Sequence, residues 1–148
     1  MIALDTNLLV YAHREDSGFH GRAKSLVEGL RLQPASWAIP WPCVHEFVGI
    51  VTHPRIYQPP SKLGDALAAV DAWLAGGNLE MLSEGSGYWT RLRGLAASAR
   101  LTGPRMCDAR IAAICLHHGV REFWSADRDF SAFPKLKVRN PLIEDDEG

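Results

Sequence analysis

The chain begins with Met1-Ile2-Ala3-Leu4-Asp5-Thr6-Asn7, a short apolar run that ends at an acid and two polar residues. A short, continuously apolar run is typical of a strand that is buried on both faces, as in a parallel sheet. We therefore expect a buried strand over residues 2–4, with the carboxylate of Asp5 placed directly at its end and a short helix over residues 8–14 beyond it.

Strands and helices are expected to alternate along the rest of the chain, because short apolar runs alternate with stretches of helical spacing. The expected strands are 2–4, 36–39, 79–82, 122–125 and 137–139. The further expected helices are 21–32, one from Pro42 to just before Pro54, one capped by Ser61 and stopped by Gly76-Gly77, 88–100, and 107–118 ending at Gly119. This alternation predicts an α/β fold, with a short, mainly parallel central sheet flanked by helices on both faces.

Length and charge limit the kind of protein this can be. A chain of 148 residues favours one domain, which we expect over residues 1–143, followed by an acidic C-terminal tail at 144–148. The formal net charge of -1 excludes binding of nucleic acid by bulk positive charge alone, although it leaves room for a local basic groove.

The cysteines and the apolar runs bear on localisation. The three cysteines include no Cys-x-x-Cys pair, so zinc held by thiolates is not expected. The chain has neither a signal peptide pattern nor an apolar run near the roughly 18 residues of a membrane span. These features predict a protein of the reducing cytoplasm.

Four acids are expected to meet at one edge of the sheet. Asp5 and Asp127 directly follow predicted strands, and ligands in such folds lie beyond the carboxyl ends of the strands. Asp108 lies in the first turn of a helix and shares a face with Ile111, which should pack on the sheet. Glu46 lies early in the helix that begins near Pro42.

Each acid also has a purely structural interpretation. Asp5 could cap a helix, Asp108 could interact with a helix dipole, Asp127 and Asp129 could be turn residues, and Glu46 could be a solvated helix residue. Together, however, converging carboxylates would repel one another unless a cation neutralised them. An all-oxygen site favours Mg²⁺ or Mn²⁺, and the chemistry it suggests is hydrolysis of a phosphate ester.

The ordered set of motifs resembles the PIN-domain ribonucleases and, more narrowly, the VapC toxins of bacterial toxin–antitoxin pairs. The matching segments are Asp5-Thr6-Asn7, Glu46, Asp108-Ala109-Arg110-Ile111-Ala112-Ala113 and Ser125-Ala126-Asp127-Arg128-Asp129-Phe130. The resemblance implies a PIN-like fold and a Mg²⁺-dependent endoribonuclease, with Mn²⁺ as a substitute ion. It also implies a structured transfer or ribosomal RNA substrate, a homodimer, and inhibition by a cognate VapB-like antitoxin.

The resemblance also implies roles for individual residues. Asp5 and Asp108 would be the principal metal ligands, and Glu46 and Asp127 would complete the catalytic acidic site. The residues expected to support these ligands by hydrogen bonding are Thr6, Asn7, Ser125 and Asp129. The resemblance does not assign a specific role to Asp129. The residues that bind RNA are not identified; basic residues that flank the acidic motifs and could hold phosphates are Arg14, Arg22, Lys24, Arg105, Arg110 and Arg128.

Three other functions remain open at this point. A metal-free ribonuclease could use histidines such as the adjacent His117 and His118, although neighbours on a helix point about 100° apart. A phosphoryl-transfer protein could use Asp5 as its phosphate acceptor. A catalytically silent PIN-like module could bind RNA or protein without cleaving it.

Overall fold

Five short strands and six α-helices alternate along residues 1–143, the part of the chain that the computed structural model describes. The strands are β1 (Ile2–Leu4), β2 (Trp37–Pro40), β3 (Leu79–Leu82), β4 (Glu122–Trp124) and β5 (Val138–Arg139). The helices are α1 (Thr6–His13), α2 (His20–Leu32), α3 (Trp41–Val51), α4 (Leu63–Leu74), α5 (Tyr88–Ala99) and α6 (Met106–His117). Two short 3₁₀ helices lie at Gly103–Arg105 and Arg128–Ala132. The predicted acidic tail falls outside the described residues.

The strands form one sheet in the order β3-β2-β1-β4-β5, and every pair is parallel. The first strand is central: Ile2 lies opposite Trp37 of β2 and opposite Glu122 of β4. Ala3 and Leu4 are fully buried, as expected for a strand with cover on both faces. The predicted α/β fold with a parallel sheet is confirmed.

The connections place helices on both faces of the sheet. The chain moves from β1 outward to β2 and β3, then returns to place β4 on the other side of β1. Because parallel crossovers are right-handed, the helices before and after this reversal cover opposite faces. Their contacts agree, since α1 packs on α2 and α3, α3 packs on α4, and α5 packs on α6.

The reversal of direction makes the boundary between β1 and β4 the switch point of the sheet. At such a point the loops leave in opposite directions and open a crevice beyond the strand ends. Asp5 follows β1 and Ser125 follows β4, so both lie at this crevice.

Of two helix ends predicted from the sequence, the start of α4 differs from the prediction and the end of α6 agrees with it. Ser61 is not the cap of α4: the helix begins at Leu63 after Lys62, without a side-chain cap. The Ser61 hydroxyl instead contacts His13 Nε2 at 3.0 Å, which ties the loop before α4 to the end of α1. Gly119 does end α6 as predicted, with a φ of 66° that favours glycine.

The cysteines and the helices add two observations. Cys43, Cys107 and Cys115 are all free thiols. Among the described residues, none of the helices combines the length and the apolar character that crossing a bilayer requires.

A clamp around Asn78, which the sequence did not reveal, joins β2 to the loop after α2. The Asn78 amide donates to the carbonyls of Leu30 at 2.9 Å, Gln33 at 2.9 Å and Ala35 at 3.1 Å. Its side-chain oxygen accepts a bond from the indole of Trp37 at 3.2 Å. Since the Trp37 side chain is fully buried, this oxygen satisfies a donor that water cannot reach.

We expect Asn78→Ala to lower the free energy of unfolding by about 2 kcal/mol, because it leaves the buried indole N–H without a partner and removes a donor from three carbonyls. Urea unfolding measures the change. Leu32→Ala, at a side chain that is 82% exposed, is the matched control and should change the free energy by under about 0.5 kcal/mol. Equal effects of the two substitutions would contradict the importance of the clamp.

Candidate active site

One pocket of about 160 Å³ brings together all four acids that the sequence singled out, Asp5, Glu46, Asp108 and Asp127. Thr6 and Asn7 line it as well, and its apolar walls are Ile50, Ile111 and Phe130. Four elements supply the acids, because the ends of β1 and β4 are neighbours and α3 and α6 run past them. The expected convergence at the strand ends is therefore what the fold produces.

Asp5 is the buried centre of this pocket, with only 5% of its surface exposed. Its Oδ1 accepts the backbone N–H of Thr6 at 2.7 Å, which makes it the N-cap of α1. Its Oδ2 accepts bonds from the Ser125 hydroxyl at 2.6 Å and from the Asn7 amide at 3.3 Å. Asp5 therefore caps α1, and the same side chain lines the pocket with the other three acids.

Burial raises the pKa of Asp5 to about 6. The hydrogen bonds from Ser125 and Thr6 oppose this shift because they favour the ionised form, while the charges of Glu46 and Asp127 add to it. A carboxyl group with this pKa is near half ionised just below neutral pH. It releases its proton readily when a cation approaches.

Asn7 and Ser125 brace the ends of β1 and β4 against each other. The Asn7 amide donates to Ser125 Oγ at 3.3 Å, and Asn7 Oδ1 accepts the N–H of Ala126 at 3.1 Å. Ser125 Oγ also accepts the N–H of Asp127 at 2.9 Å. The same polar groups that hold Asp5 therefore fix the start of the segment that carries Asp127.

The remaining acids fall into two groups around Asp5. Glu46 has an exposed side chain, and its Oε2 accepts the Thr6 hydroxyl at 3.2 Å. On the other side, carboxylate oxygens of Asp108, Asp127 and Asp129 all lie within 4.8 Å of one another. Asp127 Oδ1 accepts the N–H of Asp129 at 2.8 Å, which brings the exposed Asp129 into this second group.

Arg105 lies against the second group of acids. Its Nε is 3.6 Å from Asp108 Oδ2, and its Nη2 donates to the backbone carbonyl of Asp129 at 2.9 Å. The pKa of Asp108 is raised, chiefly by burial and then by the charge of Asp127, and the ion pair with Arg105 opposes that shift. Arg105 therefore offsets only part of the repulsion among these carboxylates, because the pKa of Asp108 stays raised beside it.

The donor set of the pocket fits a hard divalent cation. Carboxylate oxygens that cluster within 4.8 Å are the ligands that Mg²⁺ and Mn²⁺ prefer. The thiol of Cys43 lies 3.6 Å from Asp5 Oδ1 and is a weak hydrogen-bond donor to it. Burial raises the pKa of that thiol, so it stays neutral and is a poor ligand for a soft metal. Sequence reasoning gave no reason to place Cys43 here.

Arg105 pairs with a pocket acid, Asp108, whereas several other residues that the sequence singled out do not line the acid pocket. Of the basic residues expected to flank the acids, Arg110 pairs with Glu84 at 2.7 Å and Arg14 pairs with Asp16 at 2.7 Å. No histidine of residues 1–143 lines the acid pocket. His118 Nε2 instead contacts the carbonyl of Ser83 at 2.9 Å, beyond the end of β3. The arrangement therefore does not favour histidine-based cleavage.

Known proteins resemble this chain over nearly its whole length. Ribonuclease VapC43 of Mycobacterium tuberculosis is 35% identical over 142 residues, which cover 96% of each protein. Ribonuclease VapC48 of the same organism is 31% identical over 138 residues, which cover 93% of this chain and 95% of the relative.

Solved structures share the fold at lower sequence identity. The crystal structure of M. tuberculosis VapC20, a sarcin-ricin loop cleaving toxin, matches 89% of this chain and 94% of its own, with a TM-score of 0.67 and 17% identity. The second is the crystal structure of VapBC2 from Rickettsia felis bound to a promoter DNA fragment. One of its chains matches 95% of the present chain, and the match covers 98% of that Rickettsia chain. Its TM-score is 0.67 and its identity 21%.

The family model agrees with these similarities. The model of the PIN domain matches residues 2–136, from the first strand to the segment before β5. This range contains all four acids of the pocket and the groups that hold them. The chain therefore belongs to the PIN domain family and, within it, to the VapC ribonucleases.

Proposed function

We propose that this protein is a Mg²⁺-dependent endoribonuclease that hydrolyses RNA phosphodiester bonds and is held in check by an antitoxin. The observation that carries the proposal is the convergence of four carboxylates on one pocket, one of them a buried acid with a pKa of about 6. Carboxylates that lie this close repel one another, which lowers the stability of the folded protein unless a cation binds between them. A bound cation that takes part in the function is the simplest explanation for this arrangement. The VapC ribonucleases at 31% and 35% identity support the same activity.

We assign Asp5 and Asp108 as the principal ligands of the ion, and Glu46 and Asp127 as the acids that complete the site. Thr6, through its hydroxyl, holds Glu46 in place. The supporting residues Asn7 and Ser125 orient Asp5 and leave it no freedom to turn away from the pocket.

The chemistry that a divalent ion supplies at such a site is polarisation of a phosphoryl oxygen and activation of a water nucleophile. The chain contributes a rigid acidic pocket that orients the reacting groups, and one carboxylate accepts the proton of the attacking water. Attack by water in line with the leaving oxygen yields a 5′-phosphate and a 3′-hydroxyl. The 2′-hydroxyl of RNA takes no part in bond breaking.

We infer a structured transfer or ribosomal RNA as the substrate class, which the description of VapC20 as a sarcin-ricin loop cleaving toxin supports. We also infer an antitoxin partner, since related chains were solved as VapBC complexes. An exposed apolar stripe on α4, formed by Leu63, Leu67 and Leu74, favours a protein partner because such stripes are rarely left in water. A homodimer and a cytoplasmic location complete the proposal.

We expect the purified chain, freed of any partner, to cut bacterial RNA at discrete sites in Mg²⁺ and to leave 5′-phosphate ends. EDTA should abolish the cuts. Asp5→Asn and Asp108→Asn should each lower the rate by at least about 100-fold, because each removes a charge from the metal site. Gel mapping and end analysis of the products measure these outcomes.

The matched control for these variants is Asp71→Asn, which changes an exposed acid of α4 that does not line the pocket. It should cleave at the wild-type rate. Cleavage that survives EDTA and Asp5→Asn would contradict the acid mechanism, and cyclic phosphate ends would favour histidines. A folded protein that binds Mg²⁺ without cutting any RNA would favour the catalytically silent module, and a phosphorylated Asp5 would favour the phosphate acceptor.

We expect the stabilisation by Mg²⁺ to increase as the pH rises through 6. The unfolded Asp5 carboxyl has a pKa near 3.8 and the folded one near 6, so the metal-free folded state holds the extra proton between these values. In the metal-free protein, this group's contribution to stability is therefore present at low pH and is lost as the pH rises through 6. The ion binds the ionised form and recovers that loss.

Melting temperatures between pH 5 and 8, with and without Mg²⁺, measure the effect. The rise in melting temperature on adding Mg²⁺ should be near zero at pH 5 and fully present at pH 7.5. A rise that is independent of pH would mean that the ion does not bind at Asp5.

Ser125→Ala should raise the pKa of Asp5 further, because it removes the 2.6 Å hydrogen bond that favours the ionised carboxylate. The pH at which Mg²⁺ begins to stabilise the protein should then move upward. Ser125→Thr keeps the hydroxyl and should retain the wild-type midpoint. An unchanged midpoint in Ser125→Ala would show that this hydroxyl does not tune Asp5.

A further inference from the structure

Arg105 has an unusual position at the edge of the acid pocket. It ends the 3₁₀ helix Gly103–Arg105 and directly precedes α6, one turn before Asp108. Its side chain is 40% exposed, yet its Nε–H is buried and is the one buried side-chain polar group of residues 1–143 without a hydrogen-bond partner. The 3.6 Å between Nε and Asp108 Oδ2 is an ion-pair distance that is too long for a hydrogen bond.

A buried guanidinium N–H without a partner is costly, so its position needs a compensating attraction. The attraction available is the charge of Asp108, Asp127 and Asp129, whose carboxylate oxygens lie within 4.8 Å of one another. The hydrogen bond from Arg105 Nη2 to the Asp129 backbone carbonyl holds the side chain at this cluster. Because that carbonyl is neutral, it does not offset the positive charge of the guanidinium. The guanidinium thus lies beside the three acids, where its positive charge lowers their mutual repulsion when no ion is bound.

We propose that Arg105 is the resident counter-cation of the Asp108–Asp127–Asp129 cluster. It offsets part of the negative charge of the cluster before a divalent ion binds, competes with that ion for Asp108, and then offers its freed guanidinium to a phosphate of the RNA. The second step rests on the proposed nuclease function, whereas the first depends only on the metal site.

The geometry of the guanidinium suits both steps. The bond from Nη2 to the Asp129 carbonyl keeps the group at the rim when the pairing with Asp108 is lost. The exposed part of the guanidinium is then free to contact a phosphate at the rim. Arginine matches phosphate with a planar fork of donors, which lysine lacks.

Titration of the metal-free, partner-free protein with Mn²⁺ tests the first step. Arg105→Gln should bind Mn²⁺ about tenfold more tightly, because it removes a positive charge a few ångströms from the ion. Arg105→Lys keeps the charge and should stay within about twofold of wild type. Arg110 lies on the adjoining helix α6 and pairs with Glu84, so Arg110→Gln is the matched control and should bind Mn²⁺ as wild type does.

The melting temperature separates this role from a merely structural one. Arg105→Gln should melt lower than wild type without metal, since the acids repel one another without their counter-cation, and it should gain more stability from Mn²⁺. Weaker or unchanged Mn²⁺ binding by Arg105→Gln would overturn the counter-cation role. Such a result would mean that Arg105 only fixes the segment that carries Asp129.

Single-turnover RNA cleavage tests the second step. Arg105→Gln and Arg105→Lys should both cleave at least tenfold more slowly at saturating Mg²⁺, so that Arg105→Gln binds metal better and cleaves worse. Wild-type rates in both variants would overturn the phosphate contact but leave the metal result standing. If the wild-type chain cleaves no RNA, the Mn²⁺ titration still decides the first step.

Discussion

The burial of one carboxylate, Asp5, at the carboxyl end of the central strand is the constraint on which the site depends. A carboxylate in this position loses water and must be compensated by hydrogen bonds or by a cation. The fold supplies three nitrogen and oxygen donors, from Thr6, Asn7 and Ser125, and the weak thiol donor of Cys43. These do not fully compensate, and the pKa of Asp5 remains near 6. The incomplete compensation is the reason why we propose that the pocket binds a positive ion.

The topology of the sheet explains why the donors come from such distant parts of the sequence. Asp5 and Ser125 are 120 residues apart, yet the reversal of the chain places β4 beside β1. The hydrogen bonds among Asn7, Ser125 and Ala126 then tie the two strand ends into one unit. A change in the relative position of these strands would disturb stability and the site together, so the two cannot be optimised separately.

The sequence was sufficient to predict the parts of the site that follow from strand ends and helix periodicity. Asp5 and Asp127 come directly after apolar strands, and Asp108 shares a helix face with the buried Ile111; such local patterns require no knowledge of partners. The contacts of Cys43 with Asp5 and of Arg105 with Asp129 depend on how elements pack at close range. No local pattern encodes that packing. Ser61 shows the same limit, because a good capping residue was recruited by His13 instead.

If the proposed function holds, the charge distribution couples metal binding to RNA binding. The chain has a net charge of -1, and the pocket that would accept an RNA phosphate is lined by four acids. A phosphate and an ion-free pocket repel each other, so in the proposed function a divalent ion would have to reverse the local sign of the charge before the substrate could enter. The ion would then serve both substrate binding and catalysis. Arg105 at the rim would bind a phosphate only after its pairing with Asp108 is lost, because the acid and the phosphate compete for the same positive charge.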